Sequence, residues 1–185
     1  MTNSTKKTTT RTRKPAAPKS AVKKTTTRKP TTKKAEKISL TPTSFVHEIF
    51  SAVSSERTKA KKLEILRNYN ENFIKAVLIW NFDETIISVL PEGEVPVQAK
   101  EDADKNPQTS IRKEWTKFYN FVKGGNDAMN RLKKETMFIN ILEQLHPGEC
   151  EVVCLAKDKK LGTKFNINKE LVTEAYPDIQ WGNRS

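Results

Sequence analysis

The sequence predicts an all-α, compact domain of about seven helices, preceded by a disordered basic tail. The boundary is set by charge: residues 1–38 hold 13 Lys or Arg and one acidic residue, and so carry +12, the net charge of the whole chain. Residues 39–185 are neutral overall and contain apolar residues at helical spacing. We therefore divide the chain into a tail, residues 1–38, and one domain, residues 39–185.

The tail is too polar to fold alone. Up to residue 37 its only sizeable apolar side chains are Met1 and Val22, so burial cannot offset the entropy lost on ordering. The segment KKTTTRTRKP at Lys6–Pro15 returns as KKTTTRKP at Lys23–Pro30, and this composition resembles the tails of linker histones and bacterial histone-like proteins. Such a tail attracts a polyanion. We expect phosphate contacts from Lys6, Lys7, Arg11, Arg13, Lys14, Lys19, Lys23, Lys24, Arg28, Lys29, Lys33 and Lys34.

Three short helices are expected to open the domain. Residues 41–44, Thr-Pro-Thr-Ser, are typical of a helix start. Further helices are predicted over residues 55–68 and 70–81, and residues 86–90 add a turn before the PEGEVP loop. The apolar residues expected to face the core are Phe45, Val46, Ile49, Phe50, Val53, Ala60, Leu63, Leu66, Phe73, Ile74, Val77 and Leu78.

The second half of the domain predicts further helices. Thr109 or Ser110 caps one that Gly124 and Gly125 end, and Asn126 caps the next, with a bend at residues 133–135. Pro147 opens another helix, and Asn168 caps the last. The apolar positions expected to face the core are Ile111, Trp115, Phe118, Val122, Met129, Leu132, Phe138, Ile139, Leu142 and Leu145.

Two glycine-containing turns combine cations with backbone amides. The first precedes a predicted helix, where N–H groups and the helix dipole favour phosphate, and the second carries more charge. The alternative is that both are helix C-caps with solvated lysines, and the sequence leaves both interpretations open. The candidate contacts are Lys123, Gly124, Gly125 and Asn126 in the first turn, and Lys157, Lys159, Lys160, Gly162, Thr163 and Lys164 in the second.

Three segments resemble a known family. FSAVSSERTKAKKLEILRNYNENFIKAVLIWNF at Phe50–Phe82, FVKGGNDAMNRL at Phe121–Leu132 and LAKDKKLGTKFNINKELVTEAYPDI at Leu155–Ile179 are similar to the N-terminal helical DNA-binding domain of ATP-dependent DNA ligases, with the phage enzymes most similar. The resemblance covers most of residues 45–179, and its motifs are short. It implies an all-α domain that grips duplex DNA along the minor groove, with inter-helix loops contacting phosphates.

The same comparison argues against catalysis. A ligase needs a nucleophilic lysine in a K-x-D-G motif, and the most similar string, KDKKLG at Lys157, has the wrong order. We therefore expect a protein that is not an enzyme and needs no cofactor. With only two histidines and without a Ser–His–Asp or paired-carboxylate arrangement, acid–base catalysis is not indicated.

Other groupings point to ordinary structural roles. His146, Cys150 and Cys154 are spaced four apart, but Pro147 breaks the helical register and a fourth zinc ligand is lacking, so we predict no metal site. The acidic residues between Glu92 and Asp104 are expected to form a solvated loop, whose negative charge attracts the tail. Trp80 and Trp115 are expected in the core, whereas Trp181 lies in a terminal segment suited to stacking.

The function expected is non-catalytic binding of double-stranded DNA, in an architectural or DNA-coating role. The resemblance implies a phage protein located on DNA in the cytoplasm of an infected bacterium, or packaged in the virion, with phage replication or virion proteins as further partners. No membrane is expected, because no apolar run approaches the length of a membrane span. One alternative is a virion structural protein whose tail contacts packaged DNA. The other is an adaptor or inhibitor that competes with a ligase or nuclease at DNA ends.

Overall fold

The computed structural model of the protein describes residues 39–97 and 103–182. The regular elements there are eight α-helices and one 3₁₀ helix, which confirms the predicted all-α fold class. The α-helices are α1 Val46–Ser55, α2 Lys59–Asn68, α3 Asn72–Phe82, α4 Ile111–Glu114, α5 Arg131–Leu142, α6 Pro147–Lys157, α7 Leu161–Phe165 and α8 Lys169–Ala175, and the 3₁₀ helix is Trp115–Phe121. The predictions made for residues 1–38 lie outside the described residues.

Helix α6 lies at the centre of the packing. It contacts α1 and α3, while α1 also contacts α2 and α7, and α2 contacts α8. Val152, Val153 and Ala156 have no exposed surface, because α6 has neighbours on more than one side. Pro147 occupies its first turn, where a missing N–H costs nothing, and His146 Nδ1 accepts from the Gly148 N–H at 3.0 Å. The predicted start of this helix is confirmed.

A buried carboxylate on α6 holds the first turns of two other helices. The Glu149 side chain lies in a residue that is 1% exposed, and it accepts from the Val46 N–H at 3.3 Å and from the Ile111 N–H at 3.0 Å. Val46 and Ile111 are the first residues of α1 and α4, and amides at that position have no partner within their own helix. Burial raises the pKa of Glu149, and the two N–H donors oppose that shift. One side chain therefore fixes three segments that are distant in sequence.

The first three helices form where predicted, with shifted ends. Helix α1 begins at Val46 rather than among residues 41–44, and Glu48 accepts from the Phe45 N–H at 2.8 Å to close its first turn. Helix α2 begins at Lys59 rather than at residue 55. The apolar faces of α1 and α3 are buried as predicted, but Ala60, expected to point inward, is exposed.

Residues 86–90 do not form the predicted helical turn. Ser88 makes an isolated antiparallel bridge with Val122, and the Val89 N–H donates to the Phe121 carbonyl at 2.9 Å. The segment is therefore extended and runs along the end of the 3₁₀ helix. Backbone partners outside the segment, rather than local helical bonds, satisfy its polar groups.

The long helix expected after Ser110 changes type and ends early. It is α-helical only to Glu114 and continues as the 3₁₀ helix to Phe121, after which Val122 is extended. The next helix starts at Arg131, where the Asn130 side chain accepts from the Lys133 N–H at 2.8 Å, so the prediction that Asn126 caps it is wrong. Residues 133–135, where a bend was expected, lie within the continuous helix α5.

One further prediction fails in the second half. Leu132, expected in the core, is 72% exposed, because α5 turns that side away from its neighbours. The second glycine turn contains helix α7, which brings the described α-helices to eight. The cap at Asn168 is confirmed, since its side chain accepts from the Leu171 N–H at 2.9 Å.

We predict that Glu149→Ala lowers the free energy of unfolding by about 3 kcal/mol, since two helix starts lose a charged acceptor and their amides stay buried. Urea unfolding followed by circular dichroism measures the change. The matched control is Glu151→Ala on the same helix, whose half-exposed carboxylate pairs with Lys164 and should cost no more than about 0.5 kcal/mol. Equal losses for the two variants would contradict the capping role.

Candidate functional site

Two backbone amides and one side chain of the first glycine turn, residues 123–126, are bonded within the fold. The Lys123 N–H donates to the Ile87 carbonyl at 2.9 Å, and the Gly125 N–H donates to the Val122 carbonyl at 3.2 Å. The Asn126 side-chain amide donates to Asn120 Oδ1 at 2.7 Å. Because no helix begins here, the expected helix-dipole site for phosphate is absent from this turn. The Lys123 side chain is exposed and remains available to a ligand.

The two glycines of this turn are required by the backbone. Gly124 has a φ of 78°, in the region that side chains disfavour. A Cβ on Gly125 would lie 1.8 Å from the Tyr119 carbonyl oxygen, which no side chain can tolerate. The turn therefore packs tightly on the end of the 3₁₀ helix, and this contact accounts for the Gly-Gly pair without a ligand.

Two lysines of the second glycine turn serve the fold. Lys157 is 3% exposed, and its ammonium donates to the carbonyls of Pro91 at 2.8 Å and Gly93 at 3.3 Å and pairs with the Asp158 carboxylate. The Lys159 ammonium donates to the Asp83 carbonyl at 2.8 Å and to the Trp80 carbonyl. Neither ammonium is placed to contact a phosphate while these bonds are made.

The Lys159 ammonium bonds to carbonyl groups at the end of a helix. Trp80 and Asp83 lie at the C-terminal end of α3, where unpaired carbonyls and the helix dipole favour a cation. Burial lowers the pKa of Lys159, and the nearby Asp83 and Glu84 carboxylates oppose that shift. Lys159 reaches this position with a φ of 60°, so its backbone also carries strain.

The remaining residues of the second turn face outward, apart from the glycine. Lys160 and Thr163 are exposed, and Lys164 is exposed and pairs with Glu151 at 2.8 Å. Gly162 is half-buried, and a Cβ there would lie 2.6 Å from the Ile167 carbonyl oxygen, so a larger residue cannot replace it without movement. Two lysines of this turn, Lys160 and Lys164, are thus placed to meet an anion.

Sequence reasoning missed a basic neighbour of this turn. Arg57 and Lys59 line a cavity of about 400 Å³ together with Gly162, and Lys59 pairs with Glu174 at 2.5 Å. At the same place Lys62 donates to the Asn166 carbonyl at 2.8 Å. The charge of α2 is visible in the sequence, but its contact with residues about a hundred positions later depends on the packing of α2 and α8.

A second cavity, of about 610 Å³, lies beside the first glycine turn. We call it the aromatic cavity; Trp80, Trp115, Phe118, Tyr119, Gly124 and Gly125 are among its lining residues. The second glycine turn does not line it. No hydrogen bond or ion pair among residues 39–97 and 103–182 joins the two glycine turns, so a single DNA-facing surface formed by both turns stays a prediction.

The other groupings take up structural positions. His146 stacks on His47 with ring centroids 4.5 Å apart, and no cluster of three His, Cys, Asp or Glu in the described ranges is arranged to hold a metal. Trp80 is buried as predicted, and Trp115 and Trp181 are half-buried. Lys169 lies over the Trp181 ring at 5.3 Å. None of the described helices has the length and apolar character needed to cross a bilayer.

A family model matches residues 49–163, which is more than half of the chain, and is described as a family of unknown function (DUF6433). The chain belongs to this family. No curated protein and no solved structure matches it. The DUF6433 match contains the first glycine turn and the second as far as Thr163, while Lys164, α8 and the tail lie outside it.

In the DUF6433 domain we predict that Lys157→Met lowers the free energy of unfolding by about 3 kcal/mol, since two carbonyls and a carboxylate lose their cation inside the protein. Lys160→Met is the matched control and should change stability by less than about 0.5 kcal/mol, because its side chain is exposed. Thermal and urea unfolding measure both variants. A Lys157→Met protein as stable as the control would show that this ammonium is not needed by the fold.

Proposed function

We propose that this DUF6433 protein binds double-stranded DNA and catalyses no reaction on it, with tail and domain engaging the same duplex. The observation that carries the proposal is the separation of charge, with +12 in residues 1–38 and none overall in the rest. A polyanion attracts such a tail over a long range, and its lysines contact phosphates rather than base edges. Binding is therefore salt-dependent and weakly selective for sequence.

The domain adds a smaller set of exposed cations. Lys123 in the first glycine turn and Lys160 and Lys164 in the second are exposed, and Arg57 lies beside Gly162. The resemblance to the N-terminal domain of DNA ligases supports the same two turns as the DNA-facing parts. Lys157 and Lys159 are left out of the proposed surface, because their ammonium groups bond to backbone carbonyls within the domain.

One observation favours a second candidate, a structural protein of the virion. Leu132 is 72% exposed on α5, and Met129 and Met137 line a shallow groove of about 500 Å³ beside it. Exposed apolar side chains of this kind are typical of protein contacts. In this alternative the domain docks on protein and only the tail meets packaged DNA.

The salt dependence of DNA binding tests whether the tail contacts phosphates. If half of the 13 tail cations displace counterions, the logarithm of the association constant should fall against the logarithm of salt concentration with a slope of roughly −6. Fluorescence anisotropy with duplexes of equal length and unrelated sequence measures it. A slope near zero, or a large difference in affinity between the sequences, would contradict phosphate binding by the tail.

Deleting residues 1–38 separates the two candidates. For DNA binding by the domain, the truncated protein should keep a weaker affinity for duplex, and Lys123→Glu with Lys160→Glu should lower it by about tenfold. Lys105→Glu with Lys133→Glu makes the same charge change at exposed lysines outside both turns and is the matched control. Complete loss of DNA binding on truncation would instead support the virion alternative. Equal effects of the two double variants would mean that the glycine turns form no specific DNA-binding surface.

A further inference from the structure

The aromatic cavity has the size and lining of a ligand site. Its volume of about 610 Å³ falls within the range of small-molecule pockets. It lies between α3, the 3₁₀ helix, the first glycine turn and residues 178–180. Small residues leave the space open: Ala76 faces it from α3, and Gly125 cannot carry a side chain because of the Tyr119 carbonyl.

The wall of the cavity is aromatic. Tyr119 is 54% exposed, and the half-buried Trp115 lies on the same 3₁₀ helix. Trp80 forms part of the lining and packs on Phe118 with ring centroids 5.3 Å apart, which makes this wall rigid. The Trp80 indole N–H is a buried donor that has no acceptor among the described residues.

The rim of the cavity is polar. Asn72 brings an amide group, and Asp178 brings a carboxylate that pairs with Lys75 at 2.6 Å. These groups offer donors and acceptors at the edge of a planar ligand, which an aliphatic ligand would leave unused. Lys123, next to the lining residue Gly124, supplies an exposed cation beside the same cavity.

These features fit one ligand, a nucleobase attached to a phosphate. The aromatic rings can stack on the base, the polar groups can bond to its edge, and the cation lies close by for the phosphate. Bases stack on aromatic side chains whatever their identity, and a flanking lysine contacts the backbone. A base within an intact duplex is stacked and paired, so an unpaired base at a bulge or frayed end can enter at the lowest cost. We propose that the aromatic cavity binds one unpaired nucleobase of the DNA.

This inference rests on the proposed function and makes it more specific. The tail holds the duplex through its phosphates, and the cavity selects the place where a base is unpaired. The protein then concentrates at irregular or broken DNA without reading its sequence. The proposal differs from phosphate binding because it assigns discrimination to uncharged aromatic residues.

The test compares two DNAs that differ in one base. The full-length protein is titrated against a duplex with one unpaired nucleotide and against the same duplex with an abasic residue at that position. We expect binding to the first to be roughly tenfold tighter, because stacking of one base is lost in the second. Both DNAs carry the same phosphates, so the contribution of the tail cancels.

Two variants assign the difference to the cavity. Ala76→Leu fills the space from α3, and Tyr119→Ala removes an exposed ring from its wall; each should abolish the preference and leave affinity for fully paired duplex unchanged. Leu132→Ala removes another exposed apolar side chain, outside the cavity, and should keep the preference. If Ala76→Leu does not fold, Tyr119→Ala decides, and a retained preference in that variant overturns the proposal.

The outcomes for the unaltered protein are also distinct. Equal dissociation constants for the two DNAs would overturn the nucleobase site and leave duplex binding in place; a cavity that serves an aromatic side chain of a protein partner gives this result. Failure to bind either DNA would overturn both this inference and the proposed function.

Discussion

The arrangement of the domain depends on the Glu149 carboxylate. From the central helix α6 it accepts the first amides of α1 and α4, which are separated from it by many residues of chain. The position of α4 sets that of the 3₁₀ helix that continues from it, and Trp115 and Tyr119 on that helix form a wall of the aromatic cavity. A buried acceptor thus determines the shape of a surface feature, because each element between them is short and packed on the next.

The lysines of the two glycine turns have two different roles. Lys157 and Lys159 satisfy carbonyls of the 91–93 loop and of the end of α3, whereas Lys123 and Lys160 project outward. The difference arises from acceptors that lie more than sixty positions away in sequence. A local pattern of lysine and glycine therefore predicts a basic turn but not which of its cations remain for a ligand.

The sequence predicts those features that depend on neighbouring residues. Apolar spacing is sufficient for α1 and α3, and Pro147 and Asn168 locate the starts of α6 and α8, because these residues act within one helical turn. The change to a 3₁₀ helix at Trp115, the extended segment at Ser88 and the exposure of Leu132 follow from tertiary packing, so they were predicted wrongly. In the candidate site, the two glycine turns can be recognised from the sequence. The position of Arg57 and the aromatic cavity can be seen only in the folded structure.

Residues 87–93 form hydrogen bonds with both turns. Near one end the Ile87 carbonyl accepts from the Lys123 N–H, and at the other the carbonyls of Pro91 and Gly93 accept from the Lys157 ammonium. The two turns are thus bonded to opposite ends of one short piece of backbone. Both turns therefore take part of their position from the same segment, which belongs to neither of them.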